Sequence, residues 1–287
     1  MKADTMRFAS WEEAVAWLIA QPDMQDLVRA CYYDQPVLQA AERYWRSEEW
    51  SALRGYLPRP PGMALDTGAG MGIASYALAR DGWNTTALEP DSSDLVGAGA
   101  IKKLAADARL DISVVRQWGE QLPFASGEFD LVHARQVLHH ARDLKRFCLE
   151  LFRVLKPDGT LTATREHVIS GPDQLRRFLD RHPLHRIYGG ENAFTLAEYR
   201  GALKDAGFRI EAELGPFDSV INYAPYSRDA LREAIIGRLA GVPLGGALGR
   251  LALAKPWDQA ALRLLSRFDK RPGRLFTFIA TKPGGAI

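Results

Sequence analysis

The chain has 287 residues, room for one large α/β domain with additions or for two small ones. Its 37 basic and 35 acidic residues leave a formal net charge of +2, which gives no electrostatic footprint for nucleic acid. The two cysteines, Cys31 and Cys148, fit neither a disulfide framework nor a metal spacing, so a reducing, cytoplasmic compartment is expected.

Residues 1–61 read as a helical cap. Glu12 and Glu13 interrupt the apolar residues of its start, unlike a signal peptide, and no apolar run in the chain is long enough to span a bilayer. Trp11, Val15, Leu18 and Ile19 fall at helical spacing, with Ser10 and Glu13 as a capping box. Two more helices are expected, at 23–33 and 38–57, the second rich in aromatics (Tyr44, Trp45, Trp50, Tyr56). The proline-rich stretch 57–62 closes the cap as a linker.

Short apolar runs then alternate with amphipathic stretches. Strands are expected at 63–66, 84–89, 112–116, 129–134 and 160–166, with helices at 72–80, 91–106 and 143–155 between them. This alternation predicts a mostly parallel sheet covered on both faces. Residues 167–194 interrupt it with a polar, basic, histidine-rich stretch that reads as a lid, Gly189 and Gly190 acting as hinges. A helix at 195–206 and a strand at 208–214 follow. The remaining 216–287 reads as a helical insertion (229–239, 258–268), with 241–249 as a glycine-rich loop, and a final strand at 274–281.

The chemistry begins at Leu65-Asp66-Thr67-Gly68-Ala69-Gly70-Met71-Gly72, between the first strand and its helix. Glycines there let backbone approach a ligand closely. A nicotinamide dinucleotide site wants G-x-G-x-x-G, but here the third glycine comes one residue early, and Asp66 sits where a pyrophosphate would pass. A carboxylate there repels phosphate and suits the ammonium of an amino acid such as methionine. Glu89 ends the second strand roughly twenty residues after the glycines, where doubly wound folds place the acid that holds ribose hydroxyls.

Three later stretches complete the pattern: Trp118-Gly119-Glu120-Gln121-Leu122-Pro123-Phe124, Arg135-Gln136-Val137-Leu138-His139-His140, and Arg153-Val154-Leu155-Lys156-Pro157-Asp158-Gly159. Together with Phe129-Asp130-Leu131-Val132 they resemble the class I S-adenosylmethionine (SAM)-dependent methyltransferases, in particular the type 11 and quinone-biosynthesis members. The resemblance covers about 63–215 and implies a Rossmann-like, seven-stranded, mostly parallel α/β sheet with SAM as cofactor and S-adenosylhomocysteine as product. It implies that Asp66, Gly68 and Gly70 surround the methionine part, that Glu89 holds the ribose, that Gly119 and Glu120 follow the adenine edge, and that Ala134 and Arg135 lie near the sulfonium. Trp118 stands where related proteins often carry an acid, so here it stacks on the base while Glu120 supplies the acceptor.

The acceptor is less legible. Methyl transfer to oxygen benefits from a base, and His167 is the leading candidate, beside Glu166 at the end of the fifth strand; His140 is the second. Tyr44, Trp45, His182, His185, Tyr188, Glu191 and Asn192 are candidate substrate contacts. The arginines of the lid read either as a solvated face or as an attraction for an acidic or sugar-like metabolite. No metal is expected: Pro183 breaks the geometry of the His-x-x-His at 182 and 185, and Ala134-Arg135 replace the acids of metal-dependent catechol-type enzymes. The expected partner is therefore a small molecule, with neither nucleic acid nor membrane, and the aromatic cap fits a pocket wall or a homodimer contact. The rivals are C- or N-methylation of an aromatic acceptor, a NAD-dependent oxidoreductase, and a non-catalytic SAM-binding module.

Overall fold

Strand side chains alternate between faces, and this chain buries both. Leu65, Val132 and Leu161 point into one apolar cluster, whereas their neighbours Ala64 and Leu131 belong to another on the opposite face. The computed structural model describes residues 8–284 except Val242. The first seven residues of the expected cap, and part of the signal-peptide reading with them, lie outside the described residues.

Strands β1 (Met63–Thr67), β2 (Asn84–Leu88), β3 (Ile112–Val115), β4 (Phe129–Arg135) and β5 (Leu155–Ile169) run parallel. A two-residue β6 (Phe194–Thr195) pairs with the end of β5. With β7 (Arg209–Leu214) and β8 (Arg274–Thr281) the order is β3-β2-β1-β4-β5-β8-β7, and β8 is antiparallel to both neighbours. The expected Rossmann-like, mostly parallel sheet is thus present, with β6 as an addition the sequence did not signal. The order reverses between β1 and β4, and the carboxyl edge at such a reversal is where open α/β sheets take ligands.

The cap consists of α1 (Trp11–Ile19), α2 (Gln25–Ala30), α3 (Val37–Trp45) and α4 (Glu48–Arg54). The single helix expected over 38–57 is two, because the Ser47 hydroxyl accepts the Trp50 N–H at 3.1 Å and starts a new helix. At α1 the Ser10 cap is present, but the Glu13 carboxylate accepts from Ala9 N–H and not from Ser10. The indoles of Trp45 and Trp50 both donate to Asp81, at 2.7 and 2.9 Å, at the end of α5 (Ile73–Arg80). Tyr44 is fully buried beside Trp50. The proposed substrate role of Tyr44 and Trp45 is therefore corrected: both anchor the cap to the sheet and neither reaches a cleft.

Helix α6 (Ala98–Ala108) starts later than expected. Asp91 accepts the Ser93 N–H and the Ser93 hydroxyl accepts from Leu95 and Val96, so these polar side chains make a turn of 91–97 in place of helix. Helix α7 (Leu144–Val154) covers one face of the sheet. After β5 come α8 (Pro172–Leu179) and α9 (Pro183–Ile187), then α10 (Leu196–Ala206), opened by a Thr195–Glu198 capping box. Between β7 and β8 lie α11 (Val220–Tyr223), α12 (Arg228–Leu239), α13 (Gly245–Ala252) and α14 (Asp258–Phe268). The loop expected at 241–249 is largely α13. Its glycines serve packing: a Cβ on Gly249 would stand 2.9 Å from Leu239 of α12. Among the described residues no helix is long and apolar enough to cross a membrane.

Candidate functional site

A cleft of about 510 Å³ opens at the carboxyl edge of the sheet, under the cap. One wall is the turn from β1 to α5. Gly68, Gly70 and Gly72 take φ values of 63°, 55° and 82°, the left-handed region that favours glycine. A Cβ on Gly68 would meet Val137 at 2.7 Å, whereas around Gly70 nothing lies within 4 Å, so that backbone faces open space. Glu89, just past β2, braces the turn: its carboxylate accepts Gly70 N–H at 2.7 Å and Asp91 N–H at 2.9 Å. Asp66 accepts the Ser75 hydroxyl at 2.6 Å. Burial pushes both carboxyls up, each to about 7. Each keeps lone pairs for a ligand's ammonium or hydroxyl groups.

Trp118, Gly119 and Glu120 line the cleft on the β3 side. Trp118 is 60% exposed, with the Arg142 guanidinium 5.4 Å from its ring. The Glu120 carboxylate accepts Arg142 N–H, and a Cβ on Gly119 would collide with Phe147 at 2.3 Å. Arg135 also faces the cleft, but its Nε donates to Glu49 of α4 at 2.8 Å. Burial works against the charge of Arg135, and the nearby Glu49 carboxylate more than compensates. Ala134, expected near the sulfonium together with Arg135, is buried within β4 beside it and is not part of the cleft lining.

The far end is a floor of histidines. His139 is buried, with Nδ1 2.7 Å from Glu166 and Nε2 3.5 Å from Glu191. Burial opposes its charge, but Glu166 and Glu191 outweigh that and hold its pKa up at about 9. Glu166 is fully buried and spends its carboxylate on the backbone N–H groups of Val137, Leu138 and His139 as well as on the His139 ring. It therefore positions the turn after β4 and does not line the cleft, unlike the catalytic role expected. Nδ1 of His167 donates to the Gly273 carbonyl at 3.0 Å, and Nδ1 of His140 to the Gly190 carbonyl at 3.1 Å, which leaves Nε2 unprotonated on each neutral ring. Burial lowers the pKa of both. His182 and Tyr188 join the lining; His185 and Asn192 do not. Arg176, Arg177, Arg181 and Arg186 are exposed to solvent, and the acid Glu191 is what this segment brings to the cleft.

Residues 65–163 match the methyltransferase-domain family. A dimethylglycine N-methyltransferase of Parasynechococcus marenigrum is 33% identical over 124 residues, 42% of this chain and 44% of its own length. A ubiquinone biosynthesis O-methyltransferase of Methylobacterium nodulans is 30% identical over 154 residues, 51% of this chain and 59% of its own. The solved geranyl diphosphate C-methyltransferase of Streptomyces coelicolor shares the fold, with a TM-score of 0.58 at 14% identity over 93% of this chain and 87% of that one. Residues 65–163 thus carry a methyltransferase domain of the class I SAM-dependent kind.

The chain spans about half the length of the curated relatives it matches. The family segment runs from β1 into β5, so it includes the glycine turn, Glu89 and His139 but not Glu166, His167 or Glu191. The sequence did not point to part of the cleft: Trp11, Leu27, Cys31, Tyr32 and Tyr33 come from the cap in place of Tyr44 and Trp45. The run Cys31-Tyr32-Tyr33-Asp34 was the available signal, a turn outside the helices carrying two adjacent aromatics, both of which line the cleft.

Proposed function

We propose that the chain transfers a methyl group from SAM to an oxygen of a small, polar, hydroxylated acceptor held at the histidine floor. The observation that carries the cofactor half is Glu89, a buried acid tied to Gly70 beside an open backbone cradle. Asp66 would take the ammonium, Glu89 the ribose hydroxyls, and Trp118 with Gly119 and Glu120 the base. Bound SAM supplies an electrophilic methyl on a sulfonium; the chain's own residues orient the acceptor and exclude water.

The acceptor oxygen attacks the methyl carbon, the sulfur–carbon bond breaks, and the hydroxyl proton leaves. His140 or His167 would receive it, since each keeps an unprotonated Nε2 with its Nδ1–H spent on a carbonyl. The exposed lid arginines favour an acceptor that is polar over one that is anionic. A second reading, C- or N-methylation of an aromatic acceptor, draws support from the cluster of Trp11 with Tyr33 and Tyr188, whose rings lie 6.1 and 5.4 Å from Trp11.

Calorimetric titration with S-adenosylhomocysteine and separately with NADH tests the cofactor. Binding of the first alone is expected; binding of NADH alone would overturn the proposal. Turnover on polyhydroxylated acceptors but not on phenols or aromatic amines is expected next, and the reverse preference would replace O-methylation by the second reading.

A further inference from the structure

We propose that His139, His167 and Glu191 hold one divalent transition-metal ion, of the zinc type, at the floor of the cleft. One donor atom from each lies within 4.8 Å of the others. They come from three separate places: the turn after β4, β5 itself, and the segment following the glycine pair 189–190. The widest spacing exceeds the roughly 3.3 Å between neighbouring ligands of a tetrahedral zinc ion. Glu191 follows Gly189 and Gly190 at φ 97° and 81°, which gives its side chain the freedom to close that gap.

The surroundings are those of imidazoles prepared to bind a cation. A metal-ligating histidine almost always gives its other ring nitrogen to a carboxylate or a backbone carbonyl, which fixes the ring and raises its basicity. His139 has Glu166 in that place at 2.7 Å, and His167 has the Gly273 carbonyl at 3.0 Å. That leaves the His167 Nε2 free for a ligand, while the His139 Nε2, which faces the Glu191 carboxylate at 3.5 Å, becomes one once a metal displaces its proton. Glu166, itself held by three backbone N–H groups, is the positioning residue.

Independent support comes from Glu191. Its side chain is only 10% exposed, and its buried Oε2 makes no close hydrogen bond among the described residues, the His139 Nε2 standing 3.5 Å away. A buried carboxylate needs a cation opposite it, and a metal ion there would take the place of the His139 proton. His182 stands close by, its Nδ1 3.7 Å from the other Glu191 oxygen and its ring 5.1 Å from His167, as a further ligand within reach. Two nitrogens and one oxygen suit a borderline ion of the zinc, iron or cobalt kind over magnesium or calcium.

Three protein ligands leave a position open to the cleft. An acceptor hydroxyl bound there would lose its proton more readily, with His140 left as the proton carrier. This role rests on the proposed methyl transfer to oxygen, whereas metal binding itself does not.

The test uses the full chain after chelator treatment, titrated calorimetrically with Zn²⁺ and followed by visible absorption with Co²⁺. One ion per chain is expected, with affinity at least a hundredfold weaker in His167→Gln and Glu191→Gln, about tenfold weaker in Glu166→Gln, and unchanged in His140→Ala. S-adenosylhomocysteine is titrated into the same samples, and binding within about twofold in every variant reports an intact fold. Absence of stoichiometric metal, or wild-type metal affinity in both His167→Gln and Glu191→Gln, would overturn the site and leave His139 as an imidazolium between two carboxylates. Metal binding without S-adenosylhomocysteine binding would instead sink the cofactor reading and spare the metal.

Discussion

Glu89 reaches from the end of β2 to brace the glycine turn that follows β1, and both of its oxygens are already committed to backbone N–H groups. Removing it should therefore loosen the turn as well as delete an acceptor. A hydrogen bond to a charged group is worth about 1.5–3 kcal/mol, so Glu89→Ala and Asp66→Asn should each weaken S-adenosylhomocysteine binding by about ten- to a hundredfold in calorimetry. Because burial holds both carboxyls at about 7, each is partly protonated near neutrality. An ammonium and ribose hydroxyls need the ionised acids, so binding releases protons. Affinity should accordingly rise as pH goes from 6 to 8, and Glu89→Gln should flatten that rise. Without ligand the sign reverses. A buried acid whose pKa exceeds its unfolded value costs stability once pH passes about 4, and the cost grows up to about 7. The stability of Asp66→Asn relative to the native chain should thus improve between pH 5 and pH 8 in thermal melts.

Asp66 and Glu89 could be placed at the cleft from sequence, because Asp66 immediately precedes the glycine turn and Glu89 ends the following strand at the spacing doubly wound folds use. The floor was not. His139, His167 and Glu191 lie far apart along the chain, and no spacing rule joins them; the sheet register and the Gly189-Gly190 turn do. The nearby His182 and His185 drew attention by spacing, yet only His182 lines the cleft.

At the scale of elements, the cap is keyed to the sheet by charge as well as by rings. Glu49 of α4 is 2% exposed and receives Arg135 from the end of β4 at 2.8 Å, with Arg165 at 4.0 Å. Deleting one partner of a buried pair strands the other, at about 3–5 kcal/mol. Glu49→Ala should lose that much in urea unfolding, and Glu49→Ala with Arg135→Met should lose less than the two single losses added together. The helices of the cap were visible in their apolar periodicity, but the break at Ser47 was not, because aromatics continue on both sides of it. Only the hydroxyl's bond to Trp50 N–H distinguishes two helices from one. Composition misled similarly at 241–249, where glycines that read as a loop are the close-contact face of α13 against α12.

For the whole molecule, the segment shared with the family is not a self-sufficient core. Ala64, Leu131 and Ile279 bury one face of the sheet against Tyr44, Trp50 and Leu53 of the cap. Deleting residues 1–61 uncovers that face, so the shortened chain should lose cooperative thermal unfolding and bind an apolar dye; a sharp transition near the native midpoint would refute the dependence. The sheet order has a bearing on biosynthesis. β8 lies between β5 and β7, and among the described residues β7 has no other strand neighbour. While the ribosome is still making residues 215–273, β7 has no partner and β5 presents a bare edge. Gly273, which holds the His167 ring, enters with the same stretch that closes the sheet. The nascent chain thus gains its glycine turn before its histidine floor, and a ribosome stalled within the insertion would release a chain with the first half of its cleft and without the second.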